Sequence, residues 1–216
     1  MKSHILLDEL MLRYPVLCDC KNEILTATEQ LLSSFKSGHK LLVAGNGGSA
    51  ADAEHMVGEL MKSFVIRDRQ IDQDVASALS ERFGTEGHTL ASKLEGALPA
   101  IPLTGFTGLS TAFANDVDPQ VSFAQQVNGL GQQGDVFFAI STSGNAKNLI
   151  NALMVADAKE LVTIGLTGRS GGLFNKYCQT TIHAPEDETY KIQELHLPIY
   201  HTICLMLEME FFGGNR

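Results

Sequence analysis

Several features are scarce or missing in this sequence, and each absence narrows its class. No apolar run approaches the roughly 20 residues that a membrane-spanning helix needs. Basic residues are outnumbered by acidic ones, 16 against 25, for a formal net charge of −9. That balance argues against nucleic acid or an anionic membrane surface as the main partner, without excluding a local basic pocket. The four cysteines, Cys18, Cys20, Cys178 and Cys204, are scattered, and the one CxC pair has no matching second pair. They read as reduced thiols of a cytoplasmic protein rather than a disulfide framework or a cysteine zinc site. The opening "MKSHILLDEL" carries acids inside its apolar run and no small-residue cleavage site, so it does not read as a signal peptide. No internal repeat, low-complexity tract or linker divides the chain.

What is present is an alternation. Residues 3–37 are helical in pattern, broken by Pro15 and closed by Gly38. From residue 40 onward, short apolar runs alternate with helical segments: "KLLVAG", "LPAIPLTG", "GDVFFAIS", "LVTIGLTG" and "CQTTIHAP" as strands. Pro99 and Pro102 suit the second of these to a sheet edge. The helices between them are "SAADAEHMVGELMKSF", "KNLINALMVADAKE" and a closing "ETYKIQELHLPIYHTICLMLEMEFF", which Pro198 should kink. This order predicts an α/β fold, a doubly wound parallel sheet flanked by helices, with ligands bound beyond the carboxyl ends of the strands. Residues 67–98 are polar, with one short helix in "DVASALSERFG". They read as an insertion over the sheet, at an oligomer interface or as a lid, or as a plain surface excursion. The whole chain, 1–216, reads as one domain.

Three turns follow strands. Gly45-Asn46-Gly47-Gly48-Ser49-Ala50 meets the G-x-G-x-x-A form of a dinucleotide fingerprint, but no acidic residue ends a second strand about 20 residues later. The Gly-Lys-Ser/Thr of a triphosphate loop is also missing, so no nucleotide cofactor is expected. "STSGN" puts Ser141, Thr142 and Ser143 after a buried strand, and "LTGRSGG" puts Thr167, Arg169 and Ser170 after the next. Hydroxyls and backbone N–H groups at helix N-termini suit a sugar phosphate, although serine and threonine also serve as ordinary helix caps. His55 and Glu59, spaced i, i+4, share one helix face. Such a pair is either a solvated surface interaction or part of a site.

The stretches "AGNGGSAADAEH", "AFANDVD", "GDVFFAISTSGN", "TIGLTGRSGG" and "KIQELHLPIYH", in this order, resemble the sugar isomerase (SIS) family and, within it, the phosphoheptose isomerases. The resemblance covers most of the chain from residue 40. It implies aldose–ketose isomerisation of sedoheptulose 7-phosphate to D-glycero-D-manno-heptose 7-phosphate, in the supply of lipopolysaccharide heptose precursors. A proton would move between C1 and C2 through an enediol-like state, with help from a divalent metal, zinc by ligand type. It implies Glu59 as catalytic base and His201 as second acid/base, and His55, Glu59, Gln193 and His201 as metal ligands. Asn46, Gly47, Gly48, Ser49, Ser141, Thr142 and Ser143 match phosphosugar-contacting positions. Glu59, Asn115, Asp116 and Gln193 match substrate-contacting ones; without the resemblance, "ANDVD" reads as an Asx turn. Gln193 and His201 are eight residues apart, roughly 12 Å along a helix. Either the helix bends at Pro198 or the ligands come from different subunits, and the family's homotetramer with sites between subunits favours the second.

Departures from the family pattern are Ala146 where a serine is common, Tyr190 where an acid is common, and the long 67–98 segment. They bear on which sugar is bound more than on the reaction type. Among the other histidines, His4, His39 and His88 read as surface residues, His183 as structural and His196 as a hydrogen-bond donor beside the site. The alternative function is an inactive phosphosugar-binding or protein-interaction member of the same fold, and the presence of His55, Glu59, Gln193 and His201 together weighs against it.

Overall fold

Strands buried on both faces appear as unbroken apolar runs, and two such runs, LLVAG and VFFAI, lie side by side in the sheet. The computed structural model describes residues 2–214. The chain begins with helix α1 (Lys2–Arg13), a 3-10 turn (Pro15–Cys20) and α2 (Lys21–Lys36). Pro15 causes the break: the residue before a proline avoids the helical region, and Tyr14 sits at φ −131°, ψ 73°. Gly38 closes α2 with φ +80°, the left-handed conformation that glycine adopts without strain.

Strand β1 (Leu41–Gly45), α3 (Gly48–Met61), α4 (Gln73–Ala91), β2 (Ala100–Pro102), α5 (Thr107–Asp116), α6 (Ser122–Leu130), β3 (Val136–Ile140), α7 (Lys147–Ala158), β4 (Val162–Gly168), α8 (Phe174–Tyr177), β5 (Thr180–Ala184) and α9 (Thr189–Phe212) follow. All strand pairs are parallel, in the order β2-β1-β3-β4-β5. The expected doubly wound sheet is therefore present, with all five strands where the sequence puts them and the proline-flanked β2 at an edge.

Alternation along β1 sorts the core into two layers. Leu41 and Val43 pack with α1, α2, α3 and α9; Leu42 and Ala44 pack with α6, α7 and α8. The chain leaves β1 toward β2 on one side and continues through β3, β4 and β5 on the other. The connection reverses between β1 and β3, and a crevice opens there beyond the strand ends.

Three features add to the sequence reading. Helix α9 continues through Pro198 as a single element. Pro198 is buried, and the helix packs on α1, α2 and α3, so tertiary contacts outweigh the roughly 3 kcal/mol penalty of an internal proline. The short helix expected at 74–84 extends to Ala91, past a break at Gly84 with φ +57°, ψ −132°. Residues 103–130, which carry no clear apolar period, hold α5, α6 and two 3-10 turns.

Candidate active site

The crevice between β1 and β3 contains a pocket of about 180 Å³ lined by Asn46, Ser49, Ile140, Ser141, Thr142, Ala146, Thr189 and Gln193. No lining residue carries a charge. Three helices begin at its wall: Ser49 is the second residue of α3, Ala146 immediately precedes α7, and Thr189 is the first residue of α9. Each helix start carries about half a positive charge. Three such ends, together with hydroxyl and amide donors, would suit the pocket to an anion such as phosphate.

Backbone geometry sets this arrangement. Gly47 caps α3 at φ +58°, ψ −121°, a conformation reserved for glycine, and turns the chain sharply out of β1. Gly48 leaves room for the carboxamide of Gln193, which a Cβ at that position would strike. On the opposite wall, Gly144 has φ +62° and sits against the Gly171 carbonyl, joining the loops after β3 and β4. The side chains of Asn46 and Asn148 form a reciprocal amide pair, 3.0 and 2.9 Å, that ties the first loop to α7. Ser143 Oγ accepts the Asn145 N–H at 3.2 Å, so one of the three serine/threonine hydroxyls serves as a local cap.

Further along α3 and α9 lies a second cluster. His55 Nε2 is 3.0 Å from Glu59 Oε1, and the His55 and His201 rings meet edge-on with centroids 4.9 Å apart. Lys62 Nζ lies 3.4 Å from the other Glu59 oxygen. His55 Nδ1 contacts the hydroxyl of Tyr200 at 2.9 Å, and that hydroxyl donates to Asp52 Oδ1 at 3.3 Å. Burial holds the His201 imidazole below its ordinary pKa, helped by the nearby His55 and opposed by Glu59. It raises Asp52, against the Tyr200 hydroxyl and His55. His201 Nε2 is buried without a hydrogen-bond partner.

The sequence-derived site therefore divides. His55, Glu59 and His201 come together. Gln193 stands with Asn46, Gly48, Ser49, Ser141 and Thr142 in the anion pocket. Asn115 and Asp116 end α5, exposed and bonded to each other at 2.7 Å, outside the residues that line the pocket. Among the described residues, no three His, Cys, Asp or Glu side chains are arranged to hold a metal ion. The donor types of His55, Glu59 and His201, and the orphaned Nε2 of His201, nonetheless suit a divalent metal such as zinc. His196, expected to be a donor beside the site, is buried and hydrogen-bonded through Nε2 to the Thr167 carbonyl at 3.2 Å, which ties α9 to β4.

Three participants escaped the sequence reading: Tyr200, Asn148, and Asp52 as a partner of Tyr200. The available signals were Asp52 and His55 at i, i+3 on one helix face, and a tyrosine adjoining a candidate histidine.

The SIS domain family matches residues 16–97 and 74–168. Phosphoheptose isomerase 2 of Campylobacter jejuni is 40% identical over 190 residues, covering 88% of this chain and 81% of that protein. The phosphoheptose isomerase of Aneurinibacillus thermoaerophilus is 35% identical, covering 99% and 95%. Among solved structures, a phosphoheptose isomerase from Francisella tularensis superposes with a TM-score of 0.74 at 30% identity, covering 91% of each chain. The chain belongs to the SIS-domain family and, within it, to the phosphoheptose isomerases. Among the described residues, no helix is long and apolar enough to cross a membrane.

Proposed function

We propose that this protein is an aldose–ketose isomerase that interconverts sedoheptulose 7-phosphate and D-glycero-D-manno-heptose 7-phosphate. The observation that carries the reading is the spacing of pocket and cluster along two shared helices. From Ser49 to His55 the rise along α3 is about 9 Å, and from Gln193 to His201 along α9 it is about 12 Å. A stretched seven-carbon sugar phosphate spans such a gap, whereas a triose phosphate falls short.

In this reading the anion pocket binds the phosphate through Ser49, Ser141, Thr142 and the three helix starts, with Asn46, Gly47, Gly48 and Ser143 shaping its loops. Glu59 takes the proton from C1 of the ketose and returns it to C2, forming the aldose. His201, whose imidazole burial shifts toward the neutral form, moves the proton between the two oxygens. His55, Glu59 and His201, with Gln193, would hold a zinc ion, which when bound supplies positive charge where the enediolate develops. The reading includes one SIS domain spanning the chain and a cytoplasmic homotetramer. Sites between subunits would bring a partner's Gln193, and Asn115 and Asp116 from α5, to the reacting carbons.

The test offers sedoheptulose 7-phosphate to zinc-loaded wild type, Glu59→Gln and His201→Gln and measures aldose formation. Wild type should turn over, and each variant should lose roughly 10²–10⁴-fold in kcat, the usual worth of a general acid or base. Full activity in either variant refutes its role. An inactive wild type that still binds the sugar phosphate favours a regulatory binding protein.

A further inference from the structure

Tyr200 is only 1% exposed, yet its hydroxyl sits between two side chains of α3, His55 Nδ1 at 2.9 Å and Asp52 Oδ1 at 3.3 Å. A phenol has one proton to donate and lone pairs to accept with. Two arrangements follow. In the first, the hydroxyl donates to His55 Nδ1, so the imidazole proton lies on Nε2 and is shared with Glu59 Oε1, 3.0 Å away. In the second, the hydroxyl donates to Asp52 and accepts from His55 Nδ1–H. The Nε2 lone pair then faces the Glu59 carboxylate, which is favourable only with a cation between them. Both arrangements hold the same number of protons. A hydroxyl rotation and a change of imidazole tautomer interconvert them.

We infer that Tyr200, backed by Asp52, is a positioning residue that stabilises the Nδ1–H tautomer of His55 and thereby presents Nε2 and Glu59 to a divalent cation. The inference rests on the metal-assisted reading above. Neither residue touches the reacting carbons; each acts through His55. Asp52 and His55 are one helical turn apart, so a single side chain from α9 reaches both. A buried hydroxyl is costly unless partnered, and phenylalanine would fill the same space. The ring itself is wedged against His55 and His201, at centroid distances of 5.7 and 5.1 Å. Removing only the oxygen should therefore leave the packing intact while depriving Nδ1–H of its acceptor. Losing the outer hydrogen-bond partner of a metal-binding histidine commonly weakens metal affinity 10–100-fold.

The test measures zinc affinity by competition with a chromophoric chelator, and the His55 tautomer from imidazole nitrogen shifts of ¹⁵N-histidine-labelled protein. It compares wild type, Tyr200→Phe, Asp52→Ala and Asp52→Asn, with His55→Gln as the control on the metal reading. Zinc-loaded wild type should show His55 protonated at Nδ1. Tyr200→Phe and Asp52→Ala should bind zinc roughly 10–100-fold more weakly, and Asp52→Asn, whose carbonyl still accepts from the phenol, should recover most of that loss. If Tyr200→Phe fails to fold, Asp52→Ala at the half-exposed end of the chain decides the matter. Zinc affinity in Tyr200→Phe within about two-fold of wild type, well short of the usual loss, overturns the role of Tyr200. So does zinc-bound His55 protonated at Nε2; the metal reading survives either result. A wild type that does not bind zinc, or a His55→Gln variant that binds it as tightly, removes the metal reading and this inference with it.

Discussion

Replacing Glu208 by alanine should be among the most damaging single changes outside the site. The carboxylate is 2% exposed and is surrounded by donors: the N–H groups of Phe64, Val65 and Ile66 at 2.9–3.2 Å, and Arg69 Nε and Nη2 at 2.9 and 2.6 Å. Arg69 is itself 3% exposed and donates onward to the carbonyls of Leu60 and Glu59, finishing the C-terminal turn of α3. Removing Glu208 leaves a buried guanidinium without its counter-charge and takes away the acceptor of three amide groups. Breaking one side of such a pair costs about 3–5 kcal/mol. For a chain of this size that lowers the thermal midpoint by roughly 6–20 °C, at about 2–4 °C per kcal/mol. Calorimetry and urea unfolding at a fixed protein concentration measure it, the concentration being held because association shifts apparent stability. Activity should also fall below the unfolding range, because the loop carries Phe64, whose ring packs 5.2 Å from His201. The double variant Arg69→Met/Glu208→Leu should recover most of the stability, since matched apolar replacement of a buried pair is often neutral. A loss under about 1 kcal/mol in Glu208→Ala, or single-variant losses that simply add in the double, would refute the claim that these groups form one coupled network.

The glycines of the anion pocket should separate by mechanism. Gly144→Ala combines a positive φ with a collision against the Gly171 backbone and should destabilise the protein by about 2 kcal/mol or more. Gly48→Ala meets only the end of the Gln193 side chain, so unfolding should change little while the KM for the sugar phosphate rises. His196 sets a pH dependence. Burial lowers its pKa from 6.5 to about 4, against a hydrogen bond to the Thr167 carbonyl. Between those values the unfolded chain binds a proton that the folded chain excludes, so stability rises with pH across the window and is complete above it. The full effect is about 3 kcal/mol. Thermal midpoints should therefore climb between pH 4.5 and 6.5 in wild type and climb less in His196→Gln; equal slopes in the two proteins would exclude His196 as the source.

The parts of the fold that could be read from the sequence were those with one overriding physical signal. β1 and β3 are buried on both faces, so their apolar runs had no rival interpretation. β2 was readable through its prolines, which belong at an edge. The reading was weaker where competing terms were close. Pro198 argues locally against a helix, and the contacts around α9 hold the helix continuous across it. α4 buries only Gly87, and α5 buries none of its side chains, so neither leaves a strong periodic trace.

The same reasoning explains which site residues could be found. The pocket beyond β1 and β3 depends on local sequence: a glycine turn or a hydroxyl cluster directly after a strand marks its lining, and both stand in the sequence. The cluster of His55, Glu59 and His201 depends instead on how α3 and α9 lie against each other. His55 and Glu59 could be paired by helical spacing, but His201 and Tyr200 join them from more than 140 residues away. Gln193 shows the limit most clearly. One helix, continuous through Pro198, carries both Gln193 and His201, the first lining the pocket beyond β1 and β3 and the second standing with His55. Within one chain they stand in separate groups, so if the two share one metal ion, association between chains is the means that would bring them together.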